Sequence, residues 1–391
     1  MRKTTLLLLC GALAMLCACQ KDGGPESRFP DDDLTGEKVD AKDFPASVRK
    51  VFILNEGSMG SNNATLDFLR CTDGTYVTGA FRKRNAQVAA GLGDVGNDVL
   101  AIGDELWIVV NNSGLVEVLS AKDESEIAAV AIPTPRCIAT DGRYAYVTSW
   151  AGAFASGSYD SNGYYTVTDA RNPKGQVYRI DLTTKKVSGT VEVGYQPEGI
   201  ACYGGKLYVA NSGGISSQLP PDYAYDRTVS IIDVSSFSVS RTVDVQVNLK
   251  SVYADGAGKI YVTSLGDYWS THSGLYMLDA ADPGKVTHVS DFVSLSALFG
   301  DTLYCIGTES EFDWSAAHVY SAWTVKSGVR TPLPLTLSET TPYSLCVADA
   351  ETLLVGDAKD YFNPGTISCY VRGSKLWTVT AGVCPGHFAL Y

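Results

Sequence analysis

Seven polar residues stand where short apolar strands begin or break off: Asn55, Glu56, Asn97, Arg136, Glu198, Asn211 and His387. Amides, carboxylates, a guanidinium and an imidazole at such places can either move protons or hydrogen-bond a polar ligand. Catalysis in an all-β ring calls for several His or carboxylates, or a metal, meeting at one point. The chain has four His, and His272, His288 and His318 fall on loops or a strand edge of different repeats. His387 is left by itself at a strand start. No G-x-S-x-G, P-loop, H-E-x-x-H or EF-hand spacing occurs, and no CxxC pair offers zinc ligands. The residues therefore favour binding over catalysis, and no catalytic residue, metal or cofactor is assigned. Asx-type turns and satisfied loop carbonyls are the structural alternative for the same side chains.

A second set is aromatic and sits in long polar loops. Residues 150–173 carry Trp150, Tyr159, Tyr164 and Tyr165, and residues 213–226 carry Tyr223 and Tyr225. Tyr268-Trp269, Phe312 and Trp314 among Glu309, Glu311 and Asp313, and Tyr361-Phe362 after Asp357 and Asp360 complete the set. Aromatics on polar loops give wide contact area at small entropic cost, with hydroxyl and indole donors. Packing within the loop is the alternative for each one, but several on one face would mark an interaction surface.

The elements that must position both sets are repeats. A short strand ending in a small or polar residue recurs seven times, as in Val51-Phe52-Ile53-Leu54-Asn55, Leu207-Tyr208-Val209-Ala210-Asn211 and Ile260-Tyr261-Val262-Thr263-Ser264. Tight turns such as Asp141-Gly142 or Gly204-Gly205 precede most copies, and another strand precedes each turn. A third and fourth strand follow, which makes the four-stranded unit of a β-propeller blade. The ends are complementary: residues 384–390 match a first strand with no second after it, and Val51 to Asn55 match a second strand with no first. A seven-bladed all-β propeller is predicted, its ring closed by the C-terminal strand completing the first blade and so hiding a bare sheet edge. A stacked solenoid would not need matching ends. In a propeller the loop from second to third strand opens on the face where each blade begins, so both residue sets are expected on that face.

Outside the ring, Arg2 and Lys3 precede an apolar run over residues 6–16, too short to span a bilayer. It ends in Leu16-Cys17-Ala18-Cys19. This reads as a lipoprotein signal peptide over residues 1–18, with Cys19 acylated and serving as the membrane attachment. A plain secretory signal cut nearby is the alternative. Residues 19–45 are polar and rich in Asp, Gly and Pro, and read as a flexible tether, which leaves 46–391 for the propeller. The formal charge of −12 becomes two units more negative once Arg2 and Lys3 are removed, which argues against nucleic acid as a partner. Of ten Cys, Cys10, Cys17 and Cys19 belong to the leader. Cys137, Cys202, Cys305, Cys346 and Cys369 lie in strand patterns as small core residues; one disulfide is the alternative, with Cys71 and Cys384 the least obviously buried.

The chain resembles the YncE-like seven-bladed propellers, and among them the BtuG-type surface lipoproteins of Bacteroidetes. The resemblance rests on Asn55-Glu56-Gly57 through Leu66-Asp67, Gly91-Leu92-Gly93-Asp94-Val95-Gly96-Asn97-Asp98, Pro135-Arg136, and Gln196-Pro197-Glu198-Gly199-Ile200-Ala201 with residues 207–214. Lys21-Asp22 and Asp31-Asp32-Asp33 also resemble the export signal that sends such lipoproteins to the outer face of the outer membrane. The resemblance implies capture of cobalamin or a related corrinoid, as transported ligand and not as cofactor, and its delivery to a TonB-dependent outer-membrane transporter. A corrin plate suits aromatic walls and its amide rim suits Asn, Tyr and Ser. A glycan suits the same residues nearly as well, and a propeller hydrolase or lyase, and a structural adhesin or interaction scaffold with a flat face, are the remaining alternatives.

Overall fold

The computed structural model describes residues 33–151, 157–159, 161, 165–167, 174–213, 225–313 and 317–391. Seven antiparallel sheets form the blades of a ring. Blade two is typical: Gly96–Ile102, Glu105–Val110, Leu115–Ser120 and Glu126–Ala131 run from the axis outward as successive hairpins. Blades three to seven begin with the inner strands Pro135–Thr140, Pro197–Tyr203, Leu249–Ala254, Leu295–Phe299 and Pro342–Val347. Blade one is built from both parts of the chain. Its inner strand Pro385–Leu390 pairs with Lys50–Asn55, and Thr65–Arg70 and Thr75–Val77 follow outward. The expected ring closure is thus present, and the solenoid is ruled out.

Second strands such as Glu105–Val110 are apolar without a break after their first residue because a neighbouring blade covers each face. Side chains alternate across a strand, and the core divides accordingly. Leu106, Ile108 and Val110 join Phe52, Leu54 and Phe68 of blade one, while Trp107 and Val109 join Val147 and Ile180 of blade three. Seven such clusters fill the seven gaps between neighbouring blades. Fourth strands are the most exposed of each blade, and some are polar, as in Lys186–Glu192.

The stretch expected to be a tether up to residue 45 is packed from its described part onward. Glu37–Lys38 adds a fifth strand to blade one through Tyr76 and Thr75. Val39, Phe44 and Val48 lie on the cluster between blades seven and one, and the Trp377 indole donates to the Asp40 carbonyl at 2.7 Å. The seven described cysteines are all free thiols.

Candidate functional site

Each blade begins at one end of the ring, and the backbone there is unusual. Val95, Thr134, Gln196, Asn248, Phe292 and Cys384 stand just before the inner strands of six blades with φ between 39° and 62°. That left-handed conformation is unfavourable for a β-branched or bulky residue, so packing must hold it. Pairing between first and second strand then slips at this end in blades one, two, three, four, five and seven. Such bulges bend a strand and re-aim its side chains. The residues at the slips are Asn97-Asp98, Arg136-Cys137, Glu198-Gly199, Lys250-Ser251, Tyr343-Ser344 and Gly386-His387.

These side chains form two groups. On one arc, Arg136 binds Glu198 in a forked ion pair, Nε to Oε1 and Nη2 to Oε2 both at 3.1 Å. The Arg136 guanidinium lies 4.4 Å from the centre of the Trp150 ring, and its backbone carbonyl accepts from the Asn97 amide at 2.8 Å. Burial disfavours the Arg136 charge, but the Glu198 carboxylate outweighs it and raises the pKa. Gly199 is needed beside this pair, since a Cβ there would come within 2.7 Å of the Lys250 carbonyl.

On the other arc, an axial cavity of about 680 Å³ is lined at its mouth by Glu56, Asp98, Lys250, Tyr343 and His387. Glu56 Oε2 accepts from the Tyr343 hydroxyl at 2.7 Å and Oε1 lies 3.1 Å from His387 Nε2. Burial pushes the Glu56 pKa up, yet the hydrogen bonds from His387 and Tyr343 more than offset it and the net shift is downward. Gly386 makes room for this carboxylate, because a Cβ there would meet Oε1 at 2.3 Å. Asp98 lies 3.9 Å from His387 Nδ1. It accepts the amides of Val99 and Ile138, both at 2.9 Å, and burial raises its pKa. Deeper in, the lining is apolar, with Leu100, Leu295, Leu345 and Leu390.

Of the residues expected from sequence, Arg136, Glu198, Trp150 and Asn97 meet in the first group and Glu56 and His387 in the second. Asn55 and Asn211 are fully buried and stitch their own blades. Asn55 donates to Thr65 at 3.0 Å and Asp67 at 2.9 Å, and Asn211 to Thr228 and Ser230, both at 2.9 Å. Asp98, Lys250 and Tyr343 did not stand out as candidates in the sequence. The signal available was register, since each sits within two residues of an inner-strand start, as Arg136 and Glu198 do.

The aromatic set divides as well. Trp269 and Phe362 are 78 % and 80 % exposed, and Tyr268 and Tyr361 about half exposed. Tyr361 stands edge-on to Tyr343 at 5.8 Å between ring centres, which ties this rim to the mouth of the cavity. Phe312 instead stacks on His272 at 4.9 Å, and His272 bonds Glu311 at 2.8 Å, so it braces the loops of blades five and six. Tyr225 is half-buried. Tyr165 begins the strand Tyr165–Val167, which pairs with Gly157–Tyr159, but its side chain lies outside the described residues, as does Trp314 entirely. Among the described residues no group of three or more His, Cys, Asp or Glu is arranged to hold a metal ion.

No protein-family model matches the chain, and no curated protein sequence does. Solved structures do match in shape. Hydrazine synthase of Kuenenia stuttgartiensis superposes with a TM-score of 0.55 at 16 % identity, over 75 % of this chain and 89 % of that one. A protein of unknown function from Desulfotomaculum acetoxidans gives 0.56 at 10 %, over 88 % and 98 %. A candidate 6-phosphogluconolactonase from Bacteroides uniformis gives 0.58 at 11 %, over 88 % and 100 %. At such identities the likeness is one of architecture, and on it and the seven closed sheets this chain is a seven-bladed β-propeller.

Proposed function

We propose that this chain is a non-catalytic binder of a bulky polar small molecule, held on the ring face where the blades begin, and that a corrinoid such as cobalamin is its ligand. The carrying observation is the exposed rim of Trp269, Phe362, Tyr268 and Tyr361 beside a mouth of already oriented polar groups. Aromatic faces of that size, left in water, suit a flat ligand, and the oriented groups suit its hydrogen-bonding edge. A lipid anchor at Cys19 would hold the protein at the outer membrane, facing outward and able to pass its ligand to a TonB-dependent transporter, as in the YncE-like and BtuG-type lipoproteins it resembles. The test is titration calorimetry with cyanocobalamin, using a panel of oligosaccharides as the competing ligand class. One-to-one heat with cobalamin supports the reading. Heat with an oligosaccharide alone makes the chain a glycan binder, and heat with neither removes this function.

A hydrolase is the second reading, favoured by the Glu56–His387 contact at 3.1 Å and by the lactonase name carried by one architectural neighbour. An imidazole beside a carboxylate can act as a general base. Turnover of a small sugar lactone, lost in His387→Gln, is the measurement that would support it.

A further inference from the structure

The mouth of the axial cavity holds charges of both signs that attract each other through space without closing into an ion pair. Lys250 lines it and makes no ion pair or hydrogen bond among the described residues. Glu56 and Asp98 line the same mouth, and neither oxygen pair comes within ion-pair reach of Lys250. Glu56 is fixed by Tyr343 and His387, and Asp98 by two backbone amides, so the carboxylates cannot swing across to close the gap. Each of their oxygens accepts one hydrogen bond from these groups and keeps a lone pair for another donor. The carboxylates are fixed, and the exposed Lys250 at the same opening pairs with neither.

Below the mouth the chemistry changes. Leu100, Leu295, Leu345, Phe388 and Leu390 line the cavity and are only partly buried, though they belong to inner strands surrounded by the ring. Apolar surface left uncovered inside a fold is a site that an apolar group fills at a gain of about 25 cal/mol per Å². A volume near 680 Å³ is in the range of a small-molecule pocket and well beyond a single water.

We infer that this cavity is a second, axial binding site for a small zwitterion with an apolar tail, the chemistry of a free apolar amino acid, with its carboxylate at Lys250, its ammonium at Glu56 and Asp98, and its side chain against the leucines. A ligand bearing only one charge leaves the opposite protein charge unanswered, and one lacking the tail leaves the leucines wet. The site shares its charged mouth with the corrinoid reading but uses none of the rim aromatics, so binding of a zwitterion here does not require a corrinoid at the rim.

The experiment is calorimetry of the full chain with three probes that share one phenyl tail: L-phenylalanine, 3-phenylpropionate, which lacks the ammonium, and 2-phenylethylamine, which lacks the carboxylate. The expected result is one-to-one binding of L-phenylalanine, at least tenfold tighter than either analogue. Lys250→Met is expected to weaken L-phenylalanine at least tenfold and to leave 2-phenylethylamine unchanged. Ala297→Phe, which narrows the cavity below the mouth without touching a charge, should weaken all three. Equal affinities for the three probes, or no binding of L-phenylalanine, would overturn the inference. So would an unaltered L-phenylalanine affinity in either variant. Because cyanocobalamin is titrated separately, failure of the corrinoid reading and failure of this site register as different null titrations.

Discussion

His387 Nε2 and Glu56 Oε1 lie 3.1 Å apart although 331 residues separate them in the chain. They meet where the last strand slots in beside Lys50–Asn55, so one polar pair of the candidate site sits on the seam of the ring. Candidate site and ring closure therefore share atoms.

Removal of residues 385–391 should lose both at once. The inner strand of blade one would go, together with the bonds that Tyr391 makes to Arg49 and Lys50, leaving Val51 to Leu54 open to water. Circular dichroism and urea titration should show a broadened transition with a lowered midpoint, and dye binding should report exposed apolar surface.

Arg136 and Glu198 are both nearly buried, at 12 % and 6 % side-chain exposure. Breaking such a pair from one side strands a charge and costs about 3–5 kcal/mol. Arg136→Met or Glu198→Leu should each lower the urea midpoint sharply, while the double variant Arg136→Met/Glu198→Leu should recover much of the loss. A cycle measured by denaturation checks this, and an additive double variant would contradict it.

Glu117 gives a pH signature. It is buried in blade two, and burial, with the Glu126 charge nearby, raises its pKa to about 7. The folded chain then holds this proton at pH values where the unfolded chain has released it. Stability from this group is full below about pH 4.5 and is lost as pH climbs through about 7, a change of roughly 2–3 kcal/mol. Glu117→Gln should therefore gain stability over wild type at pH 8 and little at pH 4, read as thermal midpoints.

The rim separates binding from folding. Trp269→Ala and Phe362→Ala remove side chains that are mostly in water, so stability should change by no more than about 0.5 kcal/mol. If the rim holds the ligand, each should weaken capture about tenfold or more, the behaviour of aromatic anchor residues. Unchanged affinity for the rim ligand in both variants would move that site elsewhere.

How much of this could be read from the sequence depended on whether the signal was periodic. The second strands announced themselves because both faces are buried and their residues are apolar throughout, as in Leu106-Trp107-Ile108-Val109-Val110. The matching ends announced closure for a similar reason. Asn55 and Asn211 resembled site residues because they end those strands, yet that same place lets their amides reach the third strand. Lys250 and Tyr343 were hidden by the bulge at the start of each inner strand. The local slip in pairing turns a side chain toward the axis without altering the pattern of residue types. Docking of residues 37–48 on blades one and seven was also hidden, since it rests on few contacts, Val39, Phe44 and the Trp377 bond, scattered through a polar stretch.

The seam also imposes a clock. At about 5–20 residues per second of synthesis, His387 emerges roughly 20–60 s after Glu56. Through that interval blade one lacks its inner strand and the cavity lacks a wall, however well blades two to six have formed. Shortened products accordingly lack the seal and the candidate site together.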